Sequence, residues 1–392
     1  MFTLILSSLM FIVWVLICWR MIVPLPVKRC YKVLLMVLLG CALLLYHIAR
    51  VLVQQGFPVE LNSSLRWVGY MSLGFVSLIV PLLFTKEIVL WITSVADRLS
   101  RRKSGKTVDG KRRAFLQNAG NAAVLAAVVP TVLFSIDEAF ANPAVKRVPL
   151  HVEGLHPDLE GVTIVQVSDL HVGSILDAKW LNKLVQQIEE LNPDIFVVTG
   201  DAIDGQVSRV GKELVSLKGI APRLGKFFVT GNHEFYSGVE GWVEQMRALG
   251  FTVLNNQHSL VVNGDARLLV AGVWDYYGGR FGEQYESDPL AAKAGAPAHD
   301  VSMLLAHQPK TIFKAEQVGF DIQLSGHTHG GQYFPWTYAI HLFQPYVKGL
   351  HKVGNTTLYV NTGTGFWGPP MRLTVPPEIS LFTLTGSSNT VV

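Results

Sequence analysis

The chain has 392 residues, enough for two or three domains at roughly 150 residues each, with 49% hydrophobic and 16% charged residues. A charged share well under the roughly 25% of soluble domains excludes a disordered or solvated-tail protein. The formal charge of +4 splits unevenly: Met1 to Arg113 holds 15 Lys/Arg against 4 Asp/Glu, a net of +11, which leaves −7 for Ala114 to Val392. A basic hydrophobic half is therefore joined to an acidic soluble half, and the basic excess has to be placed before nucleic acid is considered as a partner.

Three apolar stretches, near Phe2 to Trp19, Val33 to Val53 and Trp67 to Ile92, are long enough to cross a hydrocarbon core of about 30 Å. The first two lack the polar stripe at a 3.6-residue period that a helix of a soluble core would carry. Arg20, Lys28, Arg29 and Lys32 follow the first stretch, and Arg98, Arg101, Arg102, Lys103, Lys106, Lys111, Arg112 and Arg113 follow the third. Lys and Arg are retained on the cytoplasmic side, so these loops are expected inside and the N-terminus outside. The charge run is thus a topology signal, and nucleic acid is not expected as a partner.

A fourth apolar segment, Ala122 to Phe134, comes after Arg112-Arg113-Ala114-Phe115-Leu116, which resembles a twin-arginine export signal placed internally. Ala139-Phe140-Ala141 has the small-x-small form of a signal-peptidase site. The segment is either a further span or a cleaved signal, and both place the soluble half outside the cytoplasm. The expected organisation is a three-span anchor over 1–96, a basic loop with the fourth segment over 97–141, and a catalytic domain over 145–386.

Cys18, Cys30 and Cys41 all lie in the hydrophobic half, so the soluble half has neither a disulfide framework nor a thiolate metal site. Its texture is short apolar runs alternating with amphipathic stretches. Val162 to Val167, Asp194 to Val198, Lys226 to Thr230, Val301 to Ala306 and Asp321 to Leu324 are expected as strands, Ala178 to Glu190 as a helix, and Ala291 to Ala298 as a surface loop. This alternation indicates an α/β layered domain, in which ligands gather at the carboxyl ends of strands.

Those ends carry Asp169-Leu170-His171, Gly200-Asp201, Gly231-Asn232-His233-Glu234, His307 and Gly326-His327-Thr328-His329, with five of the twelve histidines among them. A lone His or Asp at a strand end is usually a turn residue. Five ends that each bear a metal-competent side chain are hard to explain as turns. A mixture of carboxylates, imidazoles and one amide suits Mn, Fe or Zn and lacks the all-oxygen character expected for Ca or Mg. Residues two apart in extended chain share a face, so Asp169 with His171, and His327 with His329, can each supply two ligands. An aspartate between ions about 3.5–4 Å apart can bridge them through its two oxygens.

In these motifs, and in their order over Gly161 to His329, the chain resembles a calcineurin-like metallophosphoesterase. The resemblance implies a four-layer αββα sandwich and two divalent metal ions. It also implies that Asp169, His171 and His329 hold the first ion, that Asp201 bridges, and that Asn232, His307 and His327 hold the second. His233 would correspond to the residue that binds phosphate and protonates the leaving group. Asp204 reads as a loop residue or a support for a ligand.

The expected function is hydrolysis of a phosphodiester or pyrophosphate by a metal-bound hydroxide at the membrane surface, with a lipid-borne phosphoester as the first candidate substrate. Two alternatives are a UDP-diacylglucosamine-type pyrophosphatase facing the cytoplasm and a non-catalytic membrane sensor that binds metal or phosphate. Trp274, Tyr276, Tyr277, Phe334, Trp336, Phe366 and Trp367 could line an acyl pocket, rest at the membrane interface, or belong to the core. The oligomeric state is not legible.

Overall fold

The computed structural model describes residues 2–54, 59–101 and 110–386. Arg102, Lys103 and Lys106 of the basic loop lie outside the described residues. The chain divides into a helical unit, Met1–Asp137 with Gly368–Met371, and a second unit, Glu138–Trp367 with Arg372–Val392.

The helical unit contains α1 (Phe2–Ile17), which passes into one π-helical turn over Cys18–Ile22, α2 (Arg29–Gln54), α3 (Val59–Arg101) and α4 (Gly110–Phe140). Among the described residues two helical segments are long and apolar enough to cross a membrane, Ser64–Leu99 and Gly110–Phe140, while Ser7–Ile22 is a shorter apolar helix. The third and fourth expected segments fall in these two. The second, Val33 to Val53, forms most of α2 without being among the candidate spans. The end of the third segment is moved outward: α3 continues through Lys86 and Glu87 to Arg101. Those charges are tolerated because they are paired. Lys86 Nζ donates to Asn121 Oδ1 at 2.6 Å and lies 3.0 Å from Glu87, which also meets Arg20 at 3.2 Å. Ionisable groups in an apolar helix bundle persist when they find such partners. The helix α4 runs unbroken over the arginine pair, the apolar segment and Phe140.

The second unit begins with β1 (Ala144–His151) and is built on two six-stranded mixed sheets. One has the order β1, β12 (Glu378–Thr385), β2 (Thr163–Val167), β3 (Ile195–Thr199), β4 (Lys226–Val229), β5 (Thr252–Val253). The other has the order β10 (Gly349–Val353), β11 (Thr356–Val360), β9 (Ile322–Ser325), β8 (Val301–Leu305), β7 (Ala266–Gly272), β6 (Gln257–Asn263). Helices cover the outer faces, α5 (Ala178–Glu190), α6 (Val207–Val210) and α8 (Val239–Ala248) in the first half and α9 (Pro289–Lys293) and α10 (Ile312–Val318) in the second, while the short α7 (Asn232–Tyr236) and α11 (Trp336–Ala339) lie in the loops that follow β4 and β9.

Period-two patterning produces the layers. In β3, Ile195 and Val197 point into the core between the sheets with Phe227, Leu268, Met303 and Leu324, while Phe196 and Val198 pack under the helices with Leu181, Leu184 and Trp242. Because both faces are covered, the strands read as continuous apolar runs. The helix α5 has the expected bounds: Asp177 caps it through the N–H groups of Lys179 and Trp180, and Leu181, Leu184, Val185 and Ile188 form its buried stripe.

One local expectation is corrected. Residues Ala291 to Lys293 are not loop but the end of α9, which starts at Pro289 and is capped by the Asp288 carboxylate. A proline at the first helical position behind an aspartate cap is a start signal that the alanine-rich composition after it obscures. The edge strand β1 and its neighbour β12, which pair in parallel although far apart in the chain, had no motif to mark them.

Candidate metal centre

The carboxyl ends of β2, β3, β4, β8 and β9 deliver the candidate residues to one edge of the sandwich. Left-handed backbone is concentrated there: Asp169 (φ 55°), His171 (48°), Asp201 (50°), His327 (71°) and His329 (50°) are five of the nine non-glycine residues with positive φ among the described residues. Such conformations cost of order 1–3 kcal/mol each and persist where the surroundings enforce them, which is characteristic of functional sites. Backbone bonds do the enforcing. Asp169 N donates to Gly200 O at 3.0 Å, His171 N to Asp201 O at 3.1 Å, and Gly326 N to His307 O at 2.9 Å. The loops are so close that a Cβ on Gly200, itself at φ 87°, would sit 2.7 Å from Gly231 N and 2.7 Å from His307 Nδ1. Only glycine fits.

Three groups of metal-competent atoms result: Asp169, His171 and His329; His171, Asp201 and His233; and Asp201, His307 and His327, each with its ligand atoms within 4.8 Å of one another. In the first, His329 Nε2 lies 3.1 Å from His171 Nε2 and 3.3 Å from Asp169 Oδ1. In the third, His307 Nε2 lies 3.3 Å from Asp201 Oδ2 and 3.2 Å from His327 Nδ1. Seven of the eight residues proposed from the sequence fall in these groups, and the eighth, Asn232, stands beside His233 at the start of α7.

Asp201 sits between the groups, although not with two free oxygens. Its Oδ1 accepts the His233 backbone N–H at 2.8 Å, so Oδ2 is the atom presented to His307 at 3.3 Å and to His171 at 4.0 Å. The start of α7 thus holds one oxygen of the carboxylate in place through the His233 N–H.

The donor set fits divalent cations. Asp169 Oδ1 and Asn232 Oδ1 are buried atoms without a hydrogen-bond partner, and leaving such atoms unsatisfied costs about 1–3 kcal/mol. The Asn232 side chain also bonds the Tyr236 hydroxyl, which orients the amide. Burial pulls His327 down to about 3 and His329 down to about 4, with the neighbouring imidazole of His307 and of His171 respectively adding to the effect. Both are neutral at physiological pH, with lone pairs available for a metal. Burial opposes ionisation of Asp169 and Asp201, but the surrounding imidazoles prevail and hold both carboxyls below the usual range. His307 is raised because Asp201 outweighs its burial. Its Nδ1 faces Thr199 O at 2.8 Å, so the second proton lies between Nε2 and Asp201, where a cation would displace it.

His233 is held by Asp204, whose Oδ1 is 2.5 Å from His233 Nδ1 and 3.1 Å from His171 Nδ1. One carboxylate thus fixes two imidazoles and leaves both Nε2 atoms turned to the site, in keeping with its expected supporting part. Burial lowers His233, but Asp201 and Asp204 reverse this and raise it to about 9.

Two supports carry no role in the sequence reading. Glu234, fully buried, accepts the N–H groups of Gly231 at 2.6 Å, Ala202 at 2.8 Å and Asp201 at 3.0 Å. It clamps the β3 and β4 loops together, and its carboxyl is pushed up to about 7 by burial and by Asp201. It stands inside the Asn232-His233-Glu234 run, so its position was visible and its partners were not. Arg372, also fully buried, donates to the carbonyls of Thr362, Gly363 and Gly365 and reaches within 3.4 Å of His329 Nδ1. No spacing signal marks it. The aromatics divide between the readings offered for them. Trp274 packs with Phe235 and Tyr285, and Phe366 is buried; Trp336 and Trp367 are exposed.

Residues 162–331 match the family model of calcineurin-like phosphoesterases. A transmembrane protein with metallophosphoesterase domain from Danio rerio is 32% identical over 379 residues, which cover 93% of this chain and 82% of that protein. An alignment of that length takes in the N-terminal helices as well as the domain. An uncharacterized metallophosphoesterase from Aquifex aeolicus is 33% identical over 62% of this chain and 93% of its own length. Among solved structures, the 5'-nucleotidase precursor from Thermus thermophilus superimposes with a TM-score of 0.37 at 17% identity, covering 57% of this chain and 54% of that one.

Proposed function

The chain belongs to the calcineurin-like metallophosphoesterase family and is a metal-dependent hydrolase of phosphoric esters; from that premise we propose that it cleaves a phosphodiester or pyrophosphate carried by a lipid. The observation that carries the reading is the three adjoining groups of metal-competent atoms, two of them sharing Asp201 and two sharing His171, with Asp169 Oδ1 and Asn232 Oδ1 left without hydrogen-bond partners. Asp169, His171 and His329 would hold one ion, Asn232, His307 and His327 the second, and Asp201 both. The mixed nitrogen and oxygen set suits Mn, Fe or Zn. When bound, two such ions supply Lewis acidity to the phosphoryl oxygens and acidify water.

The protein's own part is positioning and proton delivery. His233 is charged at neutral pH through Asp201 and Asp204, and its Nε2 lies 3.9 Å from Asp201 Oδ2. A protonated imidazole at the rim of the site can bind a phosphate oxygen and hand its proton to the departing alkoxide. Asp204 keeps the ring in the orientation this requires. We expect Mn-loaded protein to hydrolyse bis(p-nitrophenyl) phosphate, with activity lost on chelation and regained with Mn. Two tightly bound ions without turnover on a broad panel of phosphoesters would instead favour the non-catalytic sensor.

The membrane context supports a lipid-borne substrate, since the aligned Danio rerio relative is named a transmembrane protein and two candidate spans precede the domain. We read the helices before the domain as a multi-pass anchor with the domain on the extracytoplasmic side, following the loop charges. Alkaline phosphatase fused at the C-terminus is expected to be active. A fusion active only with a cytoplasmic reporter would favour the cytoplasm-facing pyrophosphatase and overturn this orientation.

A further inference from the structure

We infer that the catalytic domain makes a second, non-covalent contact with the bilayer through the exposed apolar segment from Phe334 to Phe343, beside the metal centre. The inference rests on the membrane anchor proposed above and on no catalytic role. Trp336 is 48% exposed, Tyr338 74%, Leu342 82% and Phe343 67%. Large apolar side chains gathered on a surface in this way mark an interaction site, and Trp and Tyr are the residues favoured at the lipid headgroup level.

Charge identifies the occupant. Residues 333–353 include no Asp or Glu and two lysines, Lys348 and Lys352, within a half of the chain that is otherwise acidic. An anionic headgroup layer repels most of the domain and attracts this stretch.

Position agrees. The segment lies against the turn that bears His327 and His329: a Cβ on Gly331 would overlap the backbone of Trp336 and Thr337, and Thr328 Oγ1 donates at 2.5 Å to the carbonyl of Val347, four residues beyond Phe343. The strand β1 enters at the same edge. Its first residue, Ala144, pairs with Glu378 at the start of β12, and β12 runs antiparallel to β2. Ala144 therefore lies at the end of the sheet where β2 and β3 deliver Asp169 and Asp201. Ala141, Asn142 and Pro143 alone separate it from α4, a reach of about 10 Å at roughly 3.5 Å per residue. The start of β1, the metal loops and the apolar segment share one edge of the domain, and the chain reaches β1 from the apolar helices, so a lipid surface is the partner argued for that edge. A phosphoester in that surface would lie beside the metal loops.

The test uses the full chain in vesicles of phosphatidylcholine and phosphatidylglycerol. In a background lacking Cys18, Cys30 and Cys41, Leu342→Cys is labelled with an environment-sensitive fluorophore. Val262→Cys, 55% exposed on β6 at the opposite edge, is labelled in parallel. Lipid-borne doxyl quencher is expected to lower the Leu342→Cys emission at least twofold and to leave Val262→Cys unchanged, with soluble iodide giving the reverse. Iodide quenching both sites equally, with no doxyl effect, would overturn the contact. Protection of Leu342→Cys from both quenchers would also overturn it, in favour of a second copy or another protein. A chain that fails to float with the vesicles overturns the anchor itself, which separates the two failures.

Discussion

Replacing Asp201 by Asn is expected to lower turnover of bis(p-nitrophenyl) phosphate at least 100-fold, about 2.7 kcal/mol of transition-state stabilisation, while leaving the domain folded. Asparagine keeps an oxygen for the His233 N–H bond that Oδ1 accepts at 2.8 Å. It places an uncharged NH2 where Oδ2 faces His307 and His171. That position loses a negative charge and a lone pair toward both groups of ligands at once, so metal analysis should show both ions weakened. His329→Ala is expected to cost a similar factor by a narrower route. It empties one corner of the group formed with Asp169 and His171 and should weaken one ion more than the other. Turnover and metal content near wild type in either variant would sink the ligand assignment.

The largest effect on stability is expected from Glu234→Ala. Three buried N–H groups, from Gly231, Asp201 and Ala202, lose their acceptor together. Each buried donor left unsatisfied costs about 1–3 kcal/mol, so a loss of about 3 kcal/mol or more is expected, a large fraction of the roughly 5–15 kcal/mol that holds a typical domain together. At about 2–4 °C per kcal/mol for a domain of this size, the thermal midpoint of the metal-free protein should fall by about 6 °C or more. Turnover should fall with it, because the clamp sets the spacing between the loop carrying Asp201 and the loop carrying Asn232. A midpoint unchanged in Glu234→Ala would mean that the three N–H groups find other partners.

These two residues show how unevenly the site was legible. Asp201 stands at the end of an apolar run, after a glycine, in a pattern repeated at several strand ends, and that repetition made it readable as a ligand. Glu234 lies in the same kind of run, but its work is done through backbone groups 32 and 33 residues away, and backbone donors leave no mark in a sequence. Arg372 is more hidden still: it supports His329 from a proline-rich loop 43 residues later, with no periodicity around it. The strands that carry ligands were visible because their runs end in chemistry. The strands β1 and β12, and the short α9, were not, since pairing between distant parts of the chain and a cap followed by alanines have weak local signatures.

By itself the sequence determined the division into a basic apolar half and an acidic α/β half, the family, and the strand-end Asp and His residues that the fold brings into metal-competent groups, because hydrophobic period and motif order are properties of the chain. Only the tertiary structure decided that Asp201 Oδ1 accepts the His233 N–H while Oδ2 faces His307, that Asp204 holds two imidazoles at once, and that Glu234 and Arg372 pin the loops. It also decided that the start of β1, the metal loops and an exposed aromatic segment occupy one edge of the domain. These depend on distances between residues far apart in the chain, and such distances are set by the register of the two sheets.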